Sequence, residues 1–261
     1  MPLSHILLGT AAMVGALMLA LWLASLALRD ASLVDRFWGL GFALVAAAVF
    51  PVAAGPIGRR VLLLALAGVW GLRLAWHITR RNWGQGEDVR YQKMRASWGA
   101  RFWWVSLLTV FVLQGALMWL VALPLQVGQA SPTPDRLTWV DAAGAIVSLV
   151  GFGFEAIGDA QLRAFKADPA NRGRVMDRGL WRYTRHPNYF GDALLWWGIF
   201  LVASHTRQGW WTVLSPLIMT FLLTRISGVP MLERQLRKTR PGYDEYCRRT
   251  SAFFPLPPRR V

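Results

Sequence analysis

The chain has 261 residues, 54% of them hydrophobic and only 16% charged, with 15 tryptophans. Soluble domains of this size carry roughly 25% charged residues, so an ordinary water-soluble fold is excluded. The net charge of +15 invites a nucleic-acid reading, but its placement along the chain assigns it to membrane topology instead. A single cysteine, Cys247, excludes an intramolecular disulfide and any multi-cysteine metal cluster, and no metal is expected.

The apolar residues fall in blocks, each able to cross a hydrocarbon core of roughly 30 Å as a helix. Seven spans are predicted, at about 5–28, 37–54, 61–78, 102–125, 140–157, 189–204 and 210–227. The first is too long, and too poor in N-terminal cations, for a cleaved signal peptide. The second and sixth are short or interrupted by Pro and Gly. Residues 79–101 carry six Lys and Arg, 158–188 seven and 226–261 eight, whereas 55–60, 126–139 and 205–209 together carry four. Seven spans put these groups on alternate sides, as the positive-inside rule requires. The predicted fold is therefore all-α and polytopic, a multi-pass membrane protein with its N-terminus outward and its C-terminus cytoplasmic. A bacterial inner membrane is the expected location, and no nucleic-acid partner is expected.

In chain order, the first polar signal is Asp35-Arg36 at the opening of the second span, read either as a functional carboxylate or as an interfacial ion pair. Arg73 and His77 follow, one turn apart on one face of the third span; charges at such depth face the bundle interior. The loop after that span, Arg80 to Tyr91, mixes arginine, carboxylate and phenol around Gly84 and Gly86. Residues 128–135 read as a plain surface connection.

Glu155, Asp159, Arg163 and Lys166 are spaced four, four and three apart, which makes one polar stripe at the cytoplasmic end of the fifth span. Gly151-x-Gly153-x-x-Ala156 resembles a dinucleotide fingerprint on paper only, because no strand precedes it. The densest cluster comes next: Arg174, Arg178-Gly179, Arg182-Tyr183 and Arg185-His186-Pro187-Asn188-Tyr189. Asn188 is the expected N-cap of the sixth span, with Asp192 one turn inside on the same face, and a phosphate beside that helix start would gain both dipole and cations. Arg225 ends the seventh span. A helix from Met231 to about Lys238 is expected beyond it, and the Pro-rich end, Phe254 to Pro258, is expected to pack back on the body.

These residues resemble the membrane steroid 5-alpha-reductase superfamily, most closely its bacterial branch, whose mark is a Gly-Glu-Asp-x-Arg-Tyr loop, here Gly86 to Tyr91. Asp159, Arg163, Lys166, Arg174, Gly179-Leu180, Asn188, Gly191-Asp192 and Arg225 carry the rest of the likeness. The resemblance implies a seven-helix reductase that draws a lipid-like enone from the membrane and reduces it with NADPH. It implies one integral domain over 1–261, with 1–125 on the substrate side and 140–261 binding the cofactor. The cofactor would be held by Asp159, Arg163, Lys166, Arg174, Asn188, Asp192 and Arg225. The basic and aromatic loops add Tyr183, Arg185, His186, Tyr189, Asn82, Glu87, Asp88 and Arg90 as candidates. Asp35 falls where the family places the carboxylate that engages the substrate ketone. Where the family has a phenol on the third span this chain has Trp70, so Tyr91, His77 or Asp35 itself must supply the acid.

A second resemblance is to isoprenylcysteine-type membrane methyltransferases, through Arg185-His186-Pro187-x-Tyr189-x-Gly191 and the later Glu233, Leu236, Tyr243 and Tyr246. That likeness implies S-adenosylmethionine, which has no phosphates. The arginines and the Gly-Glu-Asp loop favour the reductase.

Overall fold

The structure, a computed structural model, describes residues 1–226 and 228–259. These are helical with no strand; an isolated bridge pairs Thr184 with Ser251. Five helical runs among them are long and apolar enough to cross a membrane: Leu3–Leu28, Ile57–Asn82, Val89–Ala130, Trp139–Ala167 and Trp210–Thr239. By length and composition these are the helices of an integral membrane protein. The chain forms two compact units, Met1–Asp141 with Val202–Val213, and Ala142–Leu201 with Leu214–Val261.

In the first unit, α1 (Leu3–Leu28) buries about one residue per turn: Ile6, Thr10, Val14, Met18, Leu21 and Ser25. It stops at Arg29, whose left-handed φ of 54° breaks the helix. α2 (Leu33–Val49) and α3 (Ile57–Asn82) are joined by a short link. With 17 residues, α2 stands at the expected second span but outside the five long runs. The two helices touch backbone to backbone. A Cβ on Gly39 would lie 2.5 Å from the Gly71 carbonyl oxygen, and one on Gly71 2.2 Å from that of Gly39; no side chain fits there. Beside this crossing the fully buried Trp70 packs on Phe42, with ring centroids 5.6 Å apart.

α4 (Val89–Trp98) is N-capped by Asp88, which accepts from the Arg90 amide at 2.9 Å. After it come α5 (Phe102–Ser106), a π-helical stretch Leu107–Val112, and α6 (Leu113–Val121). Pro124 forces a break at Ala122, and α7 (Leu123–Ala130) follows. Here the expected surface connection at 128–135 is corrected. Residues Leu123 to Gln129 are buried, because α7 packs inward and its polar groups find partners: Gln129 Nε2 donates to the Ala46 carbonyl at 3.2 Å. The segment beyond is held by Arg59, which donates to the carbonyls of Ser131, Thr133 and Pro134. Arg59 is itself paired with the buried Asp141 at 3.6 Å. Asp141 in turn accepts from the Thr138 amide at 2.7 Å and meets His205 at 3.2 Å.

The second unit holds the body of α8 (Trp139–Ala167) and most of α9 (Pro187–Ser204), then α10 (Leu214–Phe221), a π-helical stretch Leu222–Ile226, α11 (Val229–Thr239) and α12 (Tyr243–Arg249). α9, at the expected sixth span, also lies outside the five long runs. A second backbone contact joins α8 to α9: a Cβ on Gly191 would stand 2.4 Å from the Glu155 amide nitrogen and 2.5 Å from the Gly151 carbonyl oxygen. This contact is what Gly151 provides, in place of a dinucleotide loop. The expected helix near 231–238 is α11. α12 was not expected, although Asp244 and Glu245 in its first turn and Arg248 and Arg249 in its last match the helix dipole. The Pro-rich end does pack back: the Leu256 amide donates to the Tyr183 carbonyl at 3.0 Å, and Phe254 meets Phe190 at 6.2 Å.

Candidate active site

In the first unit, the Gly-Glu-Asp-x-Arg-Tyr segment folds against the start of α2. Glu87 accepts from the Ala31 amide at 2.8 Å and from Arg95 at 3.0 and 2.8 Å. The Asp88 amide donates to Ser32 Oγ at 3.3 Å. These bonds fix α4 so that its first turn faces Asp35. Arg90 Nη2 donates to Asp35 Oδ2 at 2.6 Å, and the Tyr91 hydroxyl donates to Asp35 Oδ1 at 2.8 Å. Gln114, a lone amide inside an apolar run, donates to the Tyr91 oxygen at 3.2 Å. Tyr91 is buried, at 5% exposure, and the Arg90 guanidinium lies 5.3 Å from its ring centre.

Asp35 does not pair with its neighbour Arg36, which turns instead to Asp30 at 3.0 Å. Successive residues on a helix point about 100° apart, so tertiary contacts divide the two. Burial opposes ionisation of Glu87, but the Arg95 hydrogen bond and the Ala31 amide outweigh it and hold the carboxyl below the usual range. Asp88 is lowered likewise, its Arg90 bonds overcoming burial. Glu87, Asp88 and Arg90 were candidates for holding a cofactor; here all three are engaged with one another's neighbours and with the start of α2. Asn82 ends α3 and accepts from Arg81 at 3.0 Å. His77 is half-buried on α3.

In the second unit, Glu155 and Asp159 are buried on α8, at 3% and 7% exposure. The Asn188 amide donates to Asp159 Oδ1 at 3.1 Å. α9 begins at Pro187, so Asn188 lies within its first turn instead of capping it. Proline suits that first position because it has no amide hydrogen to lose. The Asn188 carbonyl oxygen is buried and has no hydrogen-bond partner among the described residues. Arg163 and Lys166, further along α8, are exposed, as are Arg174, Tyr183 and Arg225, while Asp192 is half-buried. A buried acceptor pair beside exposed cations suits a ligand that carries both amide or hydroxyl donors and phosphates, which is the chemistry of a dinucleotide.

Arg185 and His186 have another duty. Arg185 binds Glu233 at 2.8 Å and the carbonyls of Cys247 and Thr250 at 3.0 and 2.6 Å. His186 Nε2 meets Glu233 at 3.1 Å, and its ring stacks on Tyr189 at 5.4 Å. Burial pushes the imidazole below the ordinary histidine range, against the pull of Glu233. These side chains therefore fasten the C-terminal segment. Gln161, which accepts from the Leu180 amide at 3.0 Å, and Gln114 were both missed in the sequence. For Gln114 the signal was a polar residue at membrane depth.

Among the described residues no group of three His, Cys, Asp or Glu side chains is placed to hold a metal ion. No curated protein and no solved structure matches the chain significantly. A family model described as a protein of unknown function, DUF1295, matches residues 21–250. A match over that much of the sequence makes this chain a member of the DUF1295 family.

Proposed function

We propose that the protein is a seven-span reductase of a bacterial inner membrane, with its N-terminus outward, that uses NADPH to reduce a carbon–carbon double bond conjugated to a ketone in a steroid-like lipid. The observation that carries this reading is the buried Tyr91 phenol, hydrogen-bonded to Asp35 at 2.8 Å. It is a proton donor set among apolar helices, where a lipid ketone would need one. The likeness to the steroid 5-alpha-reductase superfamily supports the same chemistry.

NADPH, when bound, supplies the hydride that reduces the beta carbon. The chain's own part is electrostatic. As negative charge builds on the carbonyl oxygen, the Tyr91 hydroxyl turns its one hydrogen from Asp35 to that oxygen, a contribution typically worth about 3–4 kcal/mol for one such donor. Asp35 holds the phenol in place. Arg90 stays on Asp35 as the phenol turns away, so the carboxylate keeps a partner, and the Gln114 amide keeps its bond to the phenol oxygen. One proton, drawn from solvent, then reaches the alpha carbon, so each double bond takes one hydride and one proton. Asp159, Asn188 and Asp192 would accept from the cofactor's hydroxyl and amide groups. Arg163, Lys166, Arg174 and Arg225 hold its phosphates, and the apolar helices exclude water. His77 has no part in this reading.

Purified protein in nanodiscs tests it. NADPH should raise the melting midpoint and be consumed with a 4-ene-3-ketosteroid, and Asp159→Ala should lose that protection. Protection that survives unchanged in Asp159→Ala would count against the assignment. One observation favours the methyltransferase reading: Arg185, His186 and Glu233, the residues that carry that resemblance, meet in space. Under it, S-adenosylmethionine would protect the protein and NADPH would not.

A further inference from the structure

A cavity of about 690 Å³ lies in the second unit, on residues that the proposed cofactor site does not use. Its walls carry four guanidinium groups, from Arg178, Arg182, Arg249 and Arg259, against one carboxylate, Asp177. Among the described residues only Arg249 has a carboxylate partner, Glu245 at 3.6 Å, on an exposed pair. Like charges lining one cavity repel one another.

The walls are nevertheless fixed by the fold and not by flexible side chains alone. The Tyr246 hydroxyl donates to the Trp181 carbonyl at 2.5 Å, which ties α12 to the turn that carries Arg182. The Arg259 amide donates to the Arg249 carbonyl at 2.9 Å, which brings the end of the chain over the cavity. Three segments distant in sequence thus hold four guanidinium groups around one space, three of them without a carboxylate partner among the described residues. Guanidinium presents paired N–H donors that match phosphate oxygens two at a time.

We propose that this cavity is a binding site for a phosphate-bearing ligand with at least two negative charges, free in solution or in a lipid headgroup. The site stands whether or not the protein is a reductase. The test uses the full chain in phosphatidylcholine nanodiscs, following the melting midpoint as sodium pyrophosphate is added at constant ionic strength. A parallel arm replaces part of the phosphatidylcholine with phosphatidylglycerol.

Pyrophosphate should raise the midpoint, and the double variant Arg182→Gln/Arg249→Gln should weaken its apparent affinity by about tenfold or more. The exposed pair Arg178→Gln/Arg259→Gln, which leaves the packed walls intact, should weaken it in the same direction. A control that loses equal charge elsewhere, Lys238→Gln/Arg248→Gln, should leave it unchanged. Stabilisation by phosphatidylglycerol alone, removed by the cavity variants, would support the site and assign its phosphate to a lipid. Asn188→Ala should keep the pyrophosphate response while weakening that to NADPH, so failure of the reductase reading is seen separately. Absence of stabilisation by both probes, or stabilisation that persists in both cavity variants or is lost equally in the control, overturns the proposal.

Discussion

The Asp35 cluster and the Asp159–Asn188 pair both place carboxylates among apolar helices, yet they satisfy them in different ways. Asp35 accepts from a guanidinium and a phenol that belong to the first turn of α4, clamped by Glu87 and Asp88. Its geometry is set in advance, as a group that must meet a developing charge requires. Asp159 accepts from Asn188, whose own carbonyl oxygen is buried without a hydrogen-bond partner among the described residues, and the cations further along α8 are exposed. The first arrangement is closed on itself; the second leaves the Asn188 carbonyl oxygen over, among the described residues. Under the proposed function, the closed network places the proton donor, and the spare Asn188 oxygen is an acceptor for the cofactor.

Tyr91→Phe strikes the closed cluster hardest. Under the proposed function, turnover should fall by about 10²–10³-fold in single-turnover NADPH oxidation, while thermal protection by NADPH stays. Protection lost together with turnover would mean that the closed cluster also holds the cofactor. Glu87→Ala should come next. It strips an acceptor from the Ala31 amide and from Arg95, and should cost about 1–3 kcal/mol of stability, read from the melting midpoint, while loosening Tyr91.

Gly191→Ala acts on the other region through packing. Its methyl meets the backbone of α8 at Gly151 and Glu155, and an overpacked contact costs about 1–3 kcal/mol; NADPH protection should weaken with it. Asn188→Ala should be milder for the fold but should weaken NADPH binding by about tenfold, measured by titration of the melting midpoint.

The smallest effect is on pH. The folded His186 titrates below the ordinary value of 6.5, because burial disfavours its charge. Between the unfolded and folded values the unfolded chain binds the extra proton, so stability falls as pH drops through that window. His186→Gln should flatten this part of the stability–pH curve, whereas Tyr91→Phe should leave it unchanged.

Much of this was legible in the sequence where one segment decides the outcome. Long apolar runs without a breaker had to be helices, and α1, α3 and α8 follow them. The spacing of Glu155 and Asp159 put both on one face of α8, and Asn188 was marked by its place after Pro187. The Gly-Glu-Asp-x-Arg-Tyr loop was visible as a mixture of charges, but its partners were not. Glu87, Asp88 and Arg90 read equally well as ligands for a phosphate or as a clamp on α2. Arg185 and His186 looked like cofactor ligands because their carboxylate, Glu233, lies 48 and 47 residues away.

By itself the sequence determined the apolar helices and the periodic faces on them, because hydrophobic transfer and helix geometry act within a single segment. Only the tertiary structure decided which charges were paired. It turned Asp35 to Arg90 and Arg36 to Asp30, buried Arg59 against Asp141, and made Gly151 a point of contact for α9. An ion pair or a backbone crossing depends on which segments meet in space, and local sequence does not carry that.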